Sequence, residues 1–248
     1  MTRRLLLLLL LVGTFWLLPQ SAGAQSVTLD LGEGGSGGTT ARIVQLFLVI
    51  TIVSIAPSIL VMMTSFTRVV VVLSLLRSAM GVQQTPPNMV IVSLSLFLTA
   101  FIMMPTLEEI YSEAIEPLSS EEITEQEALE RAAMPIRSFM LGQVREQDLM
   151  LFLEVSGTEE EVLDPEETPL QALIPAFMIS ELRRAFEIGF LMFLPFIIID
   201  MTVASVLMSM GMMMLPPIVM SLPFKLIFFV LVDGWYLVAG SLLKSYSG

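Results

Sequence analysis

The chain of 248 residues contains no cysteine and no histidine. Without Cys there is no disulfide framework and no thiol nucleophile; without His the usual zinc sites and the commonest general base are gone too. Charge is scarce: Asp, Glu, Lys and Arg make up 15% of the residues, and 12 basic side chains face 24 acidic ones. No basic footprint for phosphate exists, which argues against a nucleic-acid partner. No Gly-rich run ends in the GK[ST] of a nucleotide-binding loop, so ATP hydrolysis is excluded as well. Apolar surface, by contrast, is abundant. Hydrophobic residues reach 55% and mean hydropathy is +0.83, more than one soluble core of this length can hide. The composition predicts a membrane protein and removes most enzyme templates, and no residue pattern calls for a cofactor.

The charge is unevenly placed. Between Pro105 and Leu170 lie 18 of the 24 acids but only Arg131, Arg137 and Arg145. An acidic polar segment therefore separates two apolar regions. Residues 1–24 combine a basic start (Arg3, Arg4), an apolar run from Leu5 to Leu18 and the small triplet Ala22-Gly23-Ala24. That is the layout of a secretory signal cleaved between Ala24 and Gln25; an uncleaved anchor is the alternative, and Pro19 and the small residues speak against it. Residues 25–42 read as a Gly-rich linker. Residues 43–104, with apolar runs Ile43 to Met63 and Met89 to Met104, read as a first helical hairpin. Residues 105–170 read as an acidic helical domain, in which Ser119 with Glu122 and Thr168 with Gln171 have capping-box spacing. Its runs Glu159 to Glu161 and Asp164 to Glu167 lack the spacing of a calcium loop. Residues 171–248 read as a second hairpin. Depletion of Lys and Arg between 105 and 170 predicts that this domain faces the periplasm.

The two hairpins share their punctuation. Met80-Gly81, four residues, then Pro86-Pro87 is matched by Met210-Gly211, four residues, then Pro216-Pro217. Gly supplies the left-handed residue that ends one helix, and Pro suits the start of the next.

Charges inside the apolar segments are costly, about 2.5–3.5 kcal/mol each at a helix centre. Glu181 with Arg184 and Arg183 with Glu187 have the spacing to neutralise one another locally. Asp200, Lys225 and Asp233 have no opposite charge within a helical turn, so each must pair across helices, contact another subunit or line water. Methionine is the other signal. The chain has 19, with Met208, Met210, Met212, Met213, Met214 and Met220 crowded around the second turn. Unbranched and soft, a ring of Met can close around variable cargo or seal a pore.

The stretches PAFMISELRRAFEIGF at 175–190, PFIIIDMTVASVLMSMGM at 195–212, SFTRVVVVLSLLRSAMG at 65–81 and LPFKLIFFVLVDGW at 222–235 resemble the conserved blocks of the FliP family. These are flagellar members of the type III secretion export-gate proteins. The resemblance implies an all-α, non-enzymatic membrane subunit of the gate through which unfolded rod, hook and filament proteins leave the cytoplasm. It implies a pentamer of this chain assembling with FliQ and FliR, next to FlhA and FlhB, at the inner-membrane base of the flagellar basal body. It also implies that Met210 and Met212 to Met214 form a methionine gasket, and that Glu181 and Lys225 bridge neighbouring subunits. The competing expectation is a secondary transporter or ion channel for small solutes that uses Asp200 and Asp233 as coupling sites; a periplasmic receptor is a third.

Overall fold

The computed structural model describes residues 36–82, 85–157, 168–212 and 214–246, and every regular element among them is a helix. In chain order these are α1 (Ser36–Met63), α2 (Phe66–Ala79), α3 (Asn88–Ile110), α4 (Glu125–Gln143), α5 (Glu146–Ser156), α6 (Leu170–Ser209), α7 (Pro217–Leu231) and α8 (Gly234–Lys244). A π-helical turn, Tyr111–Ile115, and a single α turn, Glu116–Ser119, prolong α3. The chain divides into two compact units, Met1–Val53 and Ser54–Gly248. In the first, α1 presents exposed Phe47, Leu48, Val49, Ile50 and Val53. The signal segment, with Ala24 and Gln25, lies outside the described residues, as do the acidic runs at 159–161 and 164–167.

Several boundaries differ from those read in the sequence. α1 begins at Ser36, so Gly37 and Gly38 are helical and not linker. A Gly costs a helix only about 1 kcal/mol, and a long apolar helix already nucleated downstream can absorb that. α3 does not stop at Met104 but runs through Pro105 and its acidic continuation. Helicity follows backbone propensity, and Glu108 and Glu109 extend it as readily as Leu does. Neither predicted capping box forms. The Ser119 hydroxyl donates to the Glu116 carbonyl at the end of its own turn, and Thr124 instead caps α4 by accepting from the Glu127 amide at 3.3 Å. Thr168 is buried with its hydroxyl unsatisfied, and Pro169 stands at the N-cap of α6. Between Pro135 and Val155 there are two helices, because Val144 and Arg145 adopt extended conformations.

The two Met-Gly turns match each other. Met80 donates to Leu76 and Gly81 to Ser78; Met210 donates to Val206 and Gly211 to Met208. Gly81 and Gly211 take φ of 76° and 75°, the left-handed conformation a Cβ would penalise. Pro87 is the N-cap of α3, and Pro217 opens α7.

Packing in the second unit centres on α2, whose Val69, Val72, Leu73, Leu76 and Ala79 are buried. Against them lie Ile91 and Leu98 of α3, Ala185 and Phe196 of α6, Phe229 of α7, and Val238 and Leu242 of α8. Gly189 lets α6 approach α2 closely: a Cβ there would fall 2.3 Å from Leu75 Cδ1. A second cluster, Met140, Leu173 and Phe177, joins α4 to α6.

Three helical stretches are long and apolar enough to cross a bilayer, Leu46–Met63, Asn88–Ser119 and Leu170–Ser209; α7 and α8, bent by 62°, would make a fourth as one span. At 1.5 Å per residue the 40 residues of α6 reach about 60 Å, twice the hydrocarbon thickness. Part of α6 must therefore stand outside any bilayer it crosses.

Candidate functional site

Three stretches of the second unit, α4, α6 and the residues after α8, converge on Arg68, and a cation inside the valine run of α2 needs them all. Its Nε donates to Glu181 Oε2 at 2.9 Å, one terminal nitrogen reaches Glu181 Oε1 and Gln143 Oε1, and the other reaches the Ser245 carbonyl at 3.2 Å and hydroxyl at 3.0 Å. All five N–H groups of the guanidinium are thus matched. Both members of the Arg68–Glu181 pair are completely buried. The Tyr246 ring lies 3.8 Å from the Arg68 guanidinium carbon, and its hydroxyl donates to Glu181. Burial, reinforced by the Glu181 carboxylate, pushes the Tyr246 phenol far above its ordinary value, so it stays a proton donor.

The local pairing of Glu181 with Arg184 does not occur. Arg184 donates to Gln143 Oε1 at 2.9 Å, and Glu181 turns inward, where a two-pronged guanidinium outcompetes a neighbour on the half-exposed helix face. Arg183 does meet Glu187, at 2.9 Å, but both are more than half exposed, and such a pair contributes little.

Asp200 and Lys225 find each other across the second hairpin. Lys225 Nζ is 2.6 Å from Asp200 Oδ2 and 3.3 Å from the Ala79 carbonyl, while the Ser221 hydroxyl donates to Asp200. The ammonium therefore joins α6 to α7 and also caps the negative end of the α2 dipole. Lys225 is nearly buried and Asp200 is 30% exposed, so the pair keeps one open edge. Asp233 is placed apart. It sits at the α7–α8 bend with a left-handed φ of 51°, exposed, and no basic side chain among the described residues forms an ion pair with it. Asp tolerates that conformation better than most residues.

Because Lys225 fixes the end of α2 beside Asp200, the hairpin beyond Asp200 projects past α2 by roughly 15 Å, the length of helix from there to Met210. Leu207 and Ser221 are buried within this projection. Its tip is not: Met208, Met210, Met212 and Leu215 are exposed, and Met214 is 98% exposed. Met213 lies outside the described residues. Pointed at solvent, these side chains do not fill a gap in this chain's own core, which is the ordinary use of Met.

Sequence reasoning singled out Glu181, Asp200 and Lys225 but missed Arg68, Gln143, Ser245 and Tyr246. For Arg68 a signal was available, a cation directly preceding four valines. Gln143 and the residues after α8 carry no such mark, since only the tertiary fold brings them there.

A chain whose regular elements are all helices among the described residues, with three or four bilayer-length apolar stretches, is by class a membrane protein. A model of the FliP family matches residues 49–242. The chain is 58% identical over 231 residues to the flagellar biosynthetic protein FliP of Caulobacter vibrioides, covering 93% of this chain and 86% of that one. It is 53% identical over 206 residues to that of Bacillus subtilis, covering 82% and 91%, and 50% identical over 221 residues to that of Aquifex aeolicus, covering 89% and 91%. The chain belongs to the FliP family.

The Arg68 centre generates a stability prediction. Removing one partner strands the other, so Arg68→Met alone is expected to destabilise the folded chain by about 3–5 kcal/mol, whereas Arg68→Met with Glu181→Leu recovers most of that loss. Thermal unfolding of the two variants in the same detergent measures the difference, and equal losses would show that a stranded Glu181 carboxylate costs the fold nothing.

Proposed function

We propose that this chain is a non-enzymatic subunit of the flagellar protein export gate, and that several copies, a pentamer in the favoured arrangement, surround the path of an unfolded cargo chain. Family membership carries the reading, and the solvent-facing Met tip gives it a mechanism. Met210, Met212, Met213 and Met214 from neighbouring copies close against one another as a compliant seal. They part for an extended polypeptide of any sequence, since soft thioethers impose no fixed shape. FliQ, FliR, FlhA and FlhB are the proposed neighbours, and exported rod, hook and filament proteins the cargo.

The same reading assigns the charges. Lys225 and Asp200 hold the seal at a fixed height on each subunit, and the open edge of Asp200 faces the next subunit. Exposed Asp233 meets a cationic group of a neighbouring chain. Glu181, wholly enclosed within its own chain, and Arg184 set the frame from which the hairpin extends. No ATPase motif is present, so the energy for transport comes from other components. Residues 1–24 act as a cleaved signal, the chain resides in the inner membrane, and segment 105–170 faces the periplasm on the same side as the residues after α8, because Tyr246 stacks on Phe139 of α4.

Replacing Met212, Met213 and Met214 together with Ala is expected to leave the complex intact by native mass measurement and to raise its ion conductance in a planar bilayer; unchanged conductance would remove the seal. Asp200→Asn is expected to impair assembly, as it weakens the only ionic link seen between α6 and α7 among the described residues. A fully assembled variant that is merely uncoupled in solute transport would favour a small-solute transporter. Since the chain has no Cys, Ser120→Cys provides a unique thiol. It is expected to react with a membrane-impermeant maleimide in intact cells with permeabilised outer membranes, and labelling only after lysis would reverse the orientation.

A further inference from the structure

The Arg68–Glu181 pair is closed from one side by two residues, and they come from beyond the last helix. The Ser245 carbonyl and hydroxyl accept both N–H groups of one terminal nitrogen of Arg68. Tyr246 covers the guanidinium face, donates its hydroxyl to Glu181, and stacks on Phe139 with ring centres 6.0 Å apart and planes inclined by 16°. One dipeptide thus serves both the cation and the anion of a buried pair, and reaches α4 besides. The Ser245 hydroxyl also donates to the Leu242 carbonyl, which ties the dipeptide to the end of α8.

We infer that Ser245 and Tyr246 form a clasp that closes over the Arg68–Glu181 pair and locks the acidic helical segment, through Phe139 of α4, to the apolar bundle. A planar cation desolvated on both faces needs an aromatic or another π surface as a lid, and Tyr246 supplies one. A carboxylate already bonded by arginine still has lone pairs to satisfy, and the phenol fills one of them. Apart from the clasp, α4 is held to α6 through the Met140, Leu173 and Phe177 cluster, the edge-on contact of Phe139 with Phe177 and the Gln143 amide, and the start of α5 through the Ser180 hydroxyl, which accepts from the Arg145 amide and donates to Asp148. With the clasp closed, the acidic segment and the bundle move as one body. The inference uses contacts within one chain only and is independent of the export reading.

Hydrogen exchange read by mass spectrometry on the full-length protein in detergent tests it. In Tyr246→Ala, amides of α4 should exchange about tenfold faster or more, while those of α7, remote from the clasp, keep their rates. Tyr246→Phe retains both stacking contacts but loses the hydroxyl, and should accelerate α4 by roughly threefold. Unchanged α4 rates in Tyr246→Ala would overturn the clasp, and so would equal acceleration of α7, which would mean general loosening. If the alanine variant does not accumulate, the phenylalanine variant decides on the same readout, with unaltered α4 rates overturning the inference.

Discussion

A guanidinium cannot lie uncompensated inside an apolar bundle, and the second unit of this protein is organised around that fact. Arg68 points into the core from a helix in which four valines and Leu73 follow it, and satisfying it requires α4, α6 and the residues after α8. Desolvating both charges of such a pair costs several kcal/mol per ion, and only complete hydrogen bonding brings the balance back. The pair therefore does less for stability than for uniqueness: any arrangement that shifts α6 along α2 would leave donors unmatched in the core. Gly189 against Leu75 works in the same direction, because close backbone approach at one point fixes the register of the two helices.

The apolar residues describe what one chain leaves undone. Phe97 and Phe101 of α3, Phe190 and Leu191 of α6, and Val230 and Leu231 of α7 are all more than 60% exposed. Patches of this extent mark contacts with lipid or protein. The inward-facing charges Arg68, Glu181 and Lys225 are paired within the chain, whereas these outward-facing apolar residues have no cover from it.

How much of this could be read from the residues depends on how local the cause is. The ends of α1, α2 and α6 near Met63, Met80 and Met210 were legible because they are set by Gly, Pro and the limits of apolar runs. Local chemistry misled where tertiary packing offered something better. Glu181 had Arg184 within one turn, yet Arg68 offered two parallel bonds inside the core. The demand that Asp200 and Lys225 find distant partners was readable from cost alone, whereas their pairing with each other depends on how the hairpin folds back. Tyr246 was invisible, since none of its partners is near it in the sequence and Glu181, the nearest of them, is 65 residues away.

The short reach beyond Lys225 has a mechanical meaning. From Asp200 to Met210, α6 contains no proline, so that stretch is a stiff arm of about 15 Å braced at its base by an ion pair. A swing of about 20° carries the arm's end sideways by about 5 Å, close to the thickness of one extended polypeptide. Small angular play at the base of the arm is therefore amplified at its Met-bearing end.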